Sequence, residues 1–72
     1  MTYHITERCE DGFYHNDGIA DGATDGGLYD AVAMIADMGR DGEYRVTDDD
    51  GSVVWCGTRQ EANDWCDEQR TA

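Results

Sequence analysis

Asp-Gly pairs interrupt this chain so often that only short secondary-structure elements fit between them. The six pairs are Asp11-Gly12, Asp17-Gly18, Asp21-Gly22, Asp25-Gly26, Asp41-Gly42 and Asp50-Gly51. Aspartate tolerates the left-handed conformation and glycine adopts a positive φ without steric cost, so such pairs favour turns. With 72 residues in total, the chain is expected to form a single domain, residues 1–72, around a thin core.

Alternating apolar residues between these turns predict β-strands. Residues 3–5 indicate a first strand, and residues 13–15 indicate a short second strand after a turn at 10–12. Residues 44–47 and 53–56 are rich in β-branched and aromatic side chains, as two paired strands are. They predict a hairpin whose tip carries three successive carboxylates, Asp48, Asp49 and Asp50.

Apolar residues at helical spacing predict a first helix at residues 27–38. The periodic positions are Leu28, Ala31, Val32, Ile35 and Met38. Thr24 or Asp25 can cap the start of this helix, and Gly39 can provide a left-handed stop after its end.

A capping box predicts a second helix at residues 59–70. In Thr58-Arg59-Gln60-Glu61, the Thr hydroxyl and the Glu carboxylate can each accept a hydrogen bond from a free backbone N–H group. Its inward positions are Ala62, Trp65, Cys66 and Gln69. The order of elements predicts an α+β fold, β(β)αββα, in which two helices cover one face of an antiparallel three- to four-stranded sheet.

The charge of the chain restricts its partners. Seventeen Asp and Glu residues face five Arg and no Lys, which gives a formal net charge of -12. Such a chain repels phosphate backbones and anionic lipids and associates quickly with basic surfaces. The start of the chain lacks the layout of a signal peptide and no apolar run is long enough to span a membrane, so we expect a cytoplasmic protein.

Catalysis and metal binding are not expected. Ser52 is the only serine and lies beside a turn, and no nucleophile has an arguable base. The three cysteines, Cys9, Cys56 and Cys66, are expected to be reduced and mostly buried, and their spacing with His4 and His15 matches no zinc site. We therefore predict no cofactor, no metal and no enzymatic activity.

A calcium loop is not expected either. Asp21, Asp25 and Gly26 can be aligned with positions one, five and six of an EF-hand. Position three is then Ala23 and position twelve is Val32, and neither side chain can bind calcium.

The chain resembles the small acidic anti-CRISPR proteins of phages and mobile elements, in particular those that mimic DNA. The resemblance covers the whole chain and rests on its small size, its lack of lysine, its Asp-rich composition and the order of its elements. It is carried by Thr24-Asp25-Gly26-Gly27-Leu28, Asp48-Asp49-Asp50-Gly51 and Thr58-Arg59-Gln60-Glu61. It implies a monomeric inhibitor that binds a type I CRISPR surveillance complex in a bacterial host and blocks its basic DNA-recognition surface, without binding nucleic acid or membranes itself.

The carboxylates expected to contact such a partner lie on the hairpin tip and on both helices. They are Asp48, Asp49, Asp50, Glu61, Asp64, Asp67, Glu68, Asp30 and Asp37. On the second helix, carboxylates three and four residues apart repel one another at a cost of a few tenths of a kcal/mol per pair. This arrangement gives up stability and favours a binding role for the acids.

Two other interpretations stay open at this point. The acidity can be an adaptation to molar salt, in which case the role of the protein is undefined. Alternatively, the chain can be an adaptor or antitoxin-like module that binds through an apolar patch. Tyr29, Met34 and the outward members of residues 53–56 are then the candidate contacts, with Trp55 expected in the core.

Overall fold

A computed structural model describes residues 2–15, 22–38 and 41–71. Along the chain, the elements are β1 (Tyr3–Arg8), β2 (Tyr14–His15), β3 (Ala23–Thr24), α1 (Leu28–Ala36), β4 (Glu43–Thr47), β5 (Val53–Thr58) and α2 (Arg59–Thr71). The predicted α+β class, the order of elements and the antiparallel sheet are confirmed.

The sheet is antiparallel, with the strand order β2-β1-β4-β5. In the described part of the chain it has five strands, of which β3, paired with β1, was not predicted from the sequence. β2 and β3 lie on the same side of β1, since β2 pairs with its end at Glu7 and Arg8 and β3 with its start at Tyr3 and His4. The β4–β5 pair is regular from Glu43 to Val46 and irregular between Val46 and Thr47.

The core lies between the helices and one face of the sheet. Ile5 on β1 is opposite Val46 on β4, and both are fully buried together with Tyr44. The helices complete this cluster with Ala31, Val32, Ile35, Ala62 and Cys66. Both helices therefore cover the same face, as predicted. Gln69, expected on the inward side of α2, is exposed, and Trp65 is only half-buried.

Neither α1 nor α2 covers the other face of the sheet. Arg45 lies on this face, because it alternates along β4 with the buried side chains of Tyr44 and Val46. Its guanidinium group stacks 3.9 Å from the centre of the Tyr14 ring. Its Nε atom is buried and has no hydrogen-bond partner within the described residues.

The start of α1 differs from the prediction. Its N-cap is Gly27, at a φ of 103°, and no side chain caps the helix. The two predicted caps are engaged elsewhere: the Thr24 hydroxyl accepts a hydrogen bond from the N–H of Gly26 at 3.1 Å, and the Asp25 carboxylate accepts one from the Thr2 hydroxyl at 2.5 Å. The helix ends at Ala36 rather than Met38, with Asp37 as C-cap. The predicted stop, Gly39, lies outside the described residues.

Two Asp-Gly turns have the predicted left-handed glycine. Gly12 has a φ of 86° and Gly51 a φ of 84°. Gly26 and Gly42 do not adopt a positive φ, so these two pairs do not form turns of that kind. The pair at 17–18 and the aspartate of the pair at 21–22 lie outside the described residues.

The capping box of α2 is formed as predicted. The N–H of Thr58 donates to Glu61 Oε1 at 3.0 Å, and the N–H of Glu61 donates to Thr58 Oγ1 at 3.1 Å. Reciprocal bonds of this kind satisfy N–H groups that a helix start leaves without partners.

Replacing the capping threonine tests this contribution. We expect Thr58→Ala to lower the free energy of unfolding by about 1 kcal/mol, because the hydroxyl acceptor is lost. Chemical denaturation followed by circular dichroism measures the effect. The control is Thr71→Ala, which removes a hydroxyl from the last turn of the same helix and should change stability by less than about 0.5 kcal/mol. Equal effects of the two substitutions would contradict a specific role of the cap.

Candidate functional site

Three of the predicted partner-binding carboxylates line one groove beside β5. Glu61, Asp64 and Glu68 project from α2 at spacings of three and four residues, which places them along one side of the helix. The groove has a volume of about 250 Å³, and its other lining residues are Trp55, Cys56 and Trp65. No arginine of residues 2–15, 22–38 or 41–71 lines it, so within these ranges the carboxylates face an aromatic surface without a cation to neutralise them.

The two tryptophans are held in place by close packing. Trp65 contacts Tyr29 of α1, with the ring centres 6.2 Å apart. Trp55 lies across Gly57, where an added Cβ would be 3.0 Å from Cη2 of the indole and 3.3 Å from Cβ of Glu61. Trp55, expected in the core, is half-buried and packs against the core while lining the groove. A side chain at position 57 would therefore require the indole of Trp55 or the side chain of Glu61 to shift by a few tenths of an ångström.

The carboxylates of the groove differ in how freely they can contact a partner. One oxygen of Glu61 accepts the N–H of Thr58, so this residue also stabilises the helix start. Asp64 accepts a hydrogen bond from the amide of Gln60 at 3.1 Å. Glu68 is exposed, and its carboxylate has no hydrogen-bond partner within the described residues, although its backbone carbonyl accepts a hydrogen bond from the Thr71 hydroxyl. Asp64 and Glu68 are thus the side chains whose charge is most available.

Some carboxylates of the hairpin tip form hydrogen bonds that stabilise the structure around the turn. Asp48 is half-buried, and its Oδ1 accepts the N–H groups of Asp50 and Ser52 at 2.9 and 3.0 Å. Asp49 accepts the N–H of Thr2 at 3.1 Å. Asp50 alone is exposed without a side-chain partner within the described chain. Reversing all three charges would therefore disturb the turn, and only Asp50 can be changed without losing a hydrogen bond.

The remaining predicted contact residues lie away from the groove. Asp67 pairs with Arg70 on α2. Asp37 borders a small cavity between the two helices, which Arg70 also lines, and Asp30 is exposed in the first turn of α1. The structure therefore brings together Glu61, Asp64 and Glu68, and it does not bring Asp30, Asp37 or Asp67 into the same groove.

A second, larger cavity has mixed charge. It has a volume of about 490 Å³ and is lined by residues 41–43 and 58–60. The guanidinium of Arg59 lies 2.9 Å from Asp41 in its wall. Because this pair is already neutralised, the cavity offers less selectivity for a charged partner than the groove does.

Two pKa shifts reflect local structure outside the groove. The N–H of Phe13 donates to Asp11, and His15 lies 3.0 Å from its other oxygen, so the pKa of the Asp11 carboxyl is below its usual value. Burial raises the pKa of the Cys66 thiol, because the charged form is poorly solvated there. A thiol held in its neutral form is a weak nucleophile.

The apolar contacts expected of an adaptor are only partly exposed. Met34 packs against the core, whereas Tyr29, Val53 and Val54 are exposed. The three thiols were expected to be mostly buried. Cys66 is buried and Cys9 is half-buried, but Cys56 is exposed. The prediction was wrong for Cys56 because it lies opposite Arg45, on the open face of the sheet.

Sequence reasoning found the acids of the groove but missed Trp55, Trp65 and Cys56 as its other walls. The available signal was the short distance in sequence between β5 and α2, which forces both elements to pack side by side. Within residues 2–15, 22–38 and 41–71, no three His, Cys, Asp or Glu side chains come close enough to hold a metal ion. Asp21 of the calcium alignment lies outside these ranges.

In the described part of the chain, no helix has the length and apolarity needed to cross a membrane. Comparison with protein-family models, with curated proteins and with solved structures finds no match. The proposals below therefore depend on the groove and its charges.

Proposed function

We propose that this protein is an acidic inhibitor that binds the basic DNA-recognition surface of a partner protein and competes there with DNA. The observation that carries the proposal is the row of Glu61, Asp64 and Glu68 along a groove that has aromatic walls and, among the described residues, no basic side chain. The first and last carboxylates of the row are seven positions apart, or roughly 10 Å along the helix axis. A DNA strand carries one phosphate per roughly 3.4 Å of axis, so the charge density of the row is within about a factor of two of that of DNA.

The distribution of the arginines supports the same conclusion. Arg8, Arg59 and Arg70 pair with carboxylates outside the groove, namely Glu43, Asp41 and Asp67. Arg45 stacks on Tyr14 on the open face of the sheet. The three ion pairs neutralise acids elsewhere, and no arginine of the described ranges neutralises the charges of the groove, which are available for a cation of the partner.

The tryptophans strengthen ionic contacts in the groove. Indole surfaces next to the carboxylates reduce the local exposure to water, and Coulomb attraction is stronger where water is excluded. The faces of the indoles also attract Lys and Arg side chains directly. A row of acids on an aromatic surface is therefore suited to arginine and lysine side chains.

The resemblance to acidic anti-CRISPR proteins suggests a specific target, a type I CRISPR surveillance complex. Such a complex must hold target DNA on a cationic surface, and that surface is of the kind that the groove fits. We propose that binding blocks access of the DNA to this surface. No catalytic step is part of the proposal.

Competition with DNA tests the proposal. Purified type I surveillance complexes are incubated with labelled target duplex and increasing amounts of the protein, and fluorescence anisotropy measures the bound duplex. We expect displacement at low salt and a loss of potency of about tenfold or more between 50 and 200 mM salt. If the protein displaces the duplex from none of the type I surveillance complexes, the proposed target is contradicted.

The same experiment distinguishes the two other interpretations. An adaptor that uses an apolar patch should bind almost independently of salt. A protein adapted to molar salt should be unfolded in dilute buffer, where screening is weak. Circular dichroism at low and at molar salt therefore precedes the competition assay, and folding only above about 1 M salt would contradict the proposal.

A further inference from the structure

The strand β5 forms an open edge of the sheet. Within the described residues β4 is its only strand partner. All six residues of β5 are uncharged, and Val53, Val54 and Cys56 are exposed. Edge strands are usually protected from pairing by charged side chains, prolines or very short length. β5 has none of these three protections, although charged residues make up 31% of the chain, and the irregularity of its pairing is confined to its start near Val54.

The backbone of β5 presents hydrogen-bonding groups to the outside. The N–H of Thr58 donates to the Glu61 side chain and therefore points away from β4. Backbone groups point to the same side at every second residue of a strand, so the N–H and C=O groups of Cys56 also face outward. The pairing of β4 and β5 is regular over this stretch. A further strand could pair with β5 at Cys56.

The groove runs over this edge. Trp55 lies opposite the buried Val46, and Cys56 lies opposite Arg45, so their side chains point to opposite faces of the sheet. Both nevertheless line the groove, together with the carboxylates of α2. A strand added to β5 would lie roughly 4.8 Å from it and would direct every second side chain toward α2. Those side chains would meet Glu61, Asp64 and Glu68.

We propose that β5 accepts an extended segment of the partner as an additional strand, with Arg or Lys side chains of that segment placed between the carboxylates of α2 and the two tryptophans. The inference deepens the proposed function and rests on it for the cationic nature of the partner. Main-chain hydrogen bonds supply affinity in strand addition, and pockets for alternate side chains supply specificity. The charge of the groove selects a basic segment.

A second copy of this chain fits the edge poorly. It would bring another net charge of -12 to a groove that already holds three carboxylates. The residues of its own β5 carry no cation that could neutralise them. The complementary occupant is therefore a basic strand of a different protein.

Two synthetic peptides of equal charge test the inference. The first is a short peptide in which arginine and threonine alternate, and the second is the same peptide with N-methyl groups on alternate backbone nitrogens. N-methylation removes the donors needed for strand pairing and keeps every charge. We expect the methylated peptide to bind the full chain about tenfold more weakly, as measured by the change in tryptophan fluorescence.

Nuclear magnetic resonance locates the contact. Saturation with the unmethylated peptide should slow hydrogen exchange of the Cys56 amide by about tenfold or more, and the methylated peptide should not. Equal binding of both peptides, without protection of Cys56, would overturn strand addition but leave the proposed function in place. Binding of neither peptide at low salt would contradict the inference and the cationic partner alike. If the protein is a dimer and the Cys56 amide exchanges slowly without any peptide, the edge is occupied by a second copy of the chain. This result would overturn the inference.

Thiol alkylation provides an independent measurement with an internal control. Cys56 is exposed, Cys9 is half-buried and Cys66 is buried. The unmethylated peptide should slow alkylation of Cys56 by about tenfold, because the added strand covers it, and should leave Cys9 unchanged. Slower alkylation of Cys9 to the same extent would indicate a general effect on the fold and would contradict specific coverage of β5.

Discussion

Replacing Ile35 with alanine is expected to lower the free energy of unfolding by about 2–5 kcal/mol. Ile35 is fully buried and belongs to the cluster that joins α1 to the sheet. A domain of this size has a total stability of only about 4–11 kcal/mol, so the loss is a large fraction of it. Urea denaturation followed by circular dichroism measures the effect.

The neighbouring position provides a matched control for Ile35. Met34 lies on the same helix, is half-buried and packs against the edge of the same cluster. Met34→Ala should therefore cost less than half as much as Ile35→Ala. A loss below about 1 kcal/mol for Ile35→Ala would show that α1 does not pack as described.

If the proposed partner is bound through the groove, reversing the charges of Asp64 and Glu68 together is expected to weaken binding to it by about 100-fold. Each reversal replaces an attraction to a basic surface with a repulsion, for which we expect a cost of about tenfold in affinity. Both residues line the groove, and neither contributes a hydrogen bond to a backbone group there. The competition assay with labelled duplex measures the loss.

The fold should tolerate this double substitution. Lysine has a higher helix propensity than aspartate, and a cation at position 64 replaces repulsion with attraction toward Glu61 and Asp67, which are each three residues away. We therefore expect the free energy of unfolding of Asp64→Lys/Glu68→Lys to equal or exceed that of the unchanged protein. Urea denaturation separates a loss of binding from a loss of folding.

A second double variant controls for net charge. Glu10→Lys/Asp50→Lys also reverses two exposed carboxylates and also changes the formal net charge from -12 to -8. Both residues lie outside the groove. If the groove is the contact, this variant should lose less than about tenfold in affinity. Equal losses in the two double variants would show that total charge, and not the groove, determines binding.

The sequence predicted correctly those structural features that depend on interactions between residues close together in the chain. The capping box at Thr58 and Glu61 involves residues three positions apart, and it is formed as expected. The start of α1 was predicted wrongly, because Asp25 bonds Thr2, which is distant in sequence. The strand β3 has only two residues, and its conformation depends on pairing with β1 rather than on its own composition.

The candidate site was predictable in its charges and not in its shape. The helical positions of Glu61, Asp64 and Glu68 follow from their spacing alone. These carboxylates lie beside Trp55 because the indole of Trp55 lies over Gly57. Both residues belong to β5, and the sequence does not reveal the pairing register of this strand. Likewise, Asp48 was expected to offer a free charge because it is an aspartate. In the structure its carboxylate accepts hydrogen bonds from the N–H groups of Asp50 and Ser52 and so stabilises the hairpin turn.

The stacking of Arg45 on the open face of the sheet gives the molecule an electrical polarity. Among the described residues, this guanidinium is the one that no carboxylate neutralises, whereas the unneutralised acids of the groove lie on α2, in the opposite layer. We therefore expect the groove side of α2 to be more negative than the face around Arg45. A basic surface should then attract the groove side of the protein preferentially during encounter. Salt should then slow association more than it speeds dissociation.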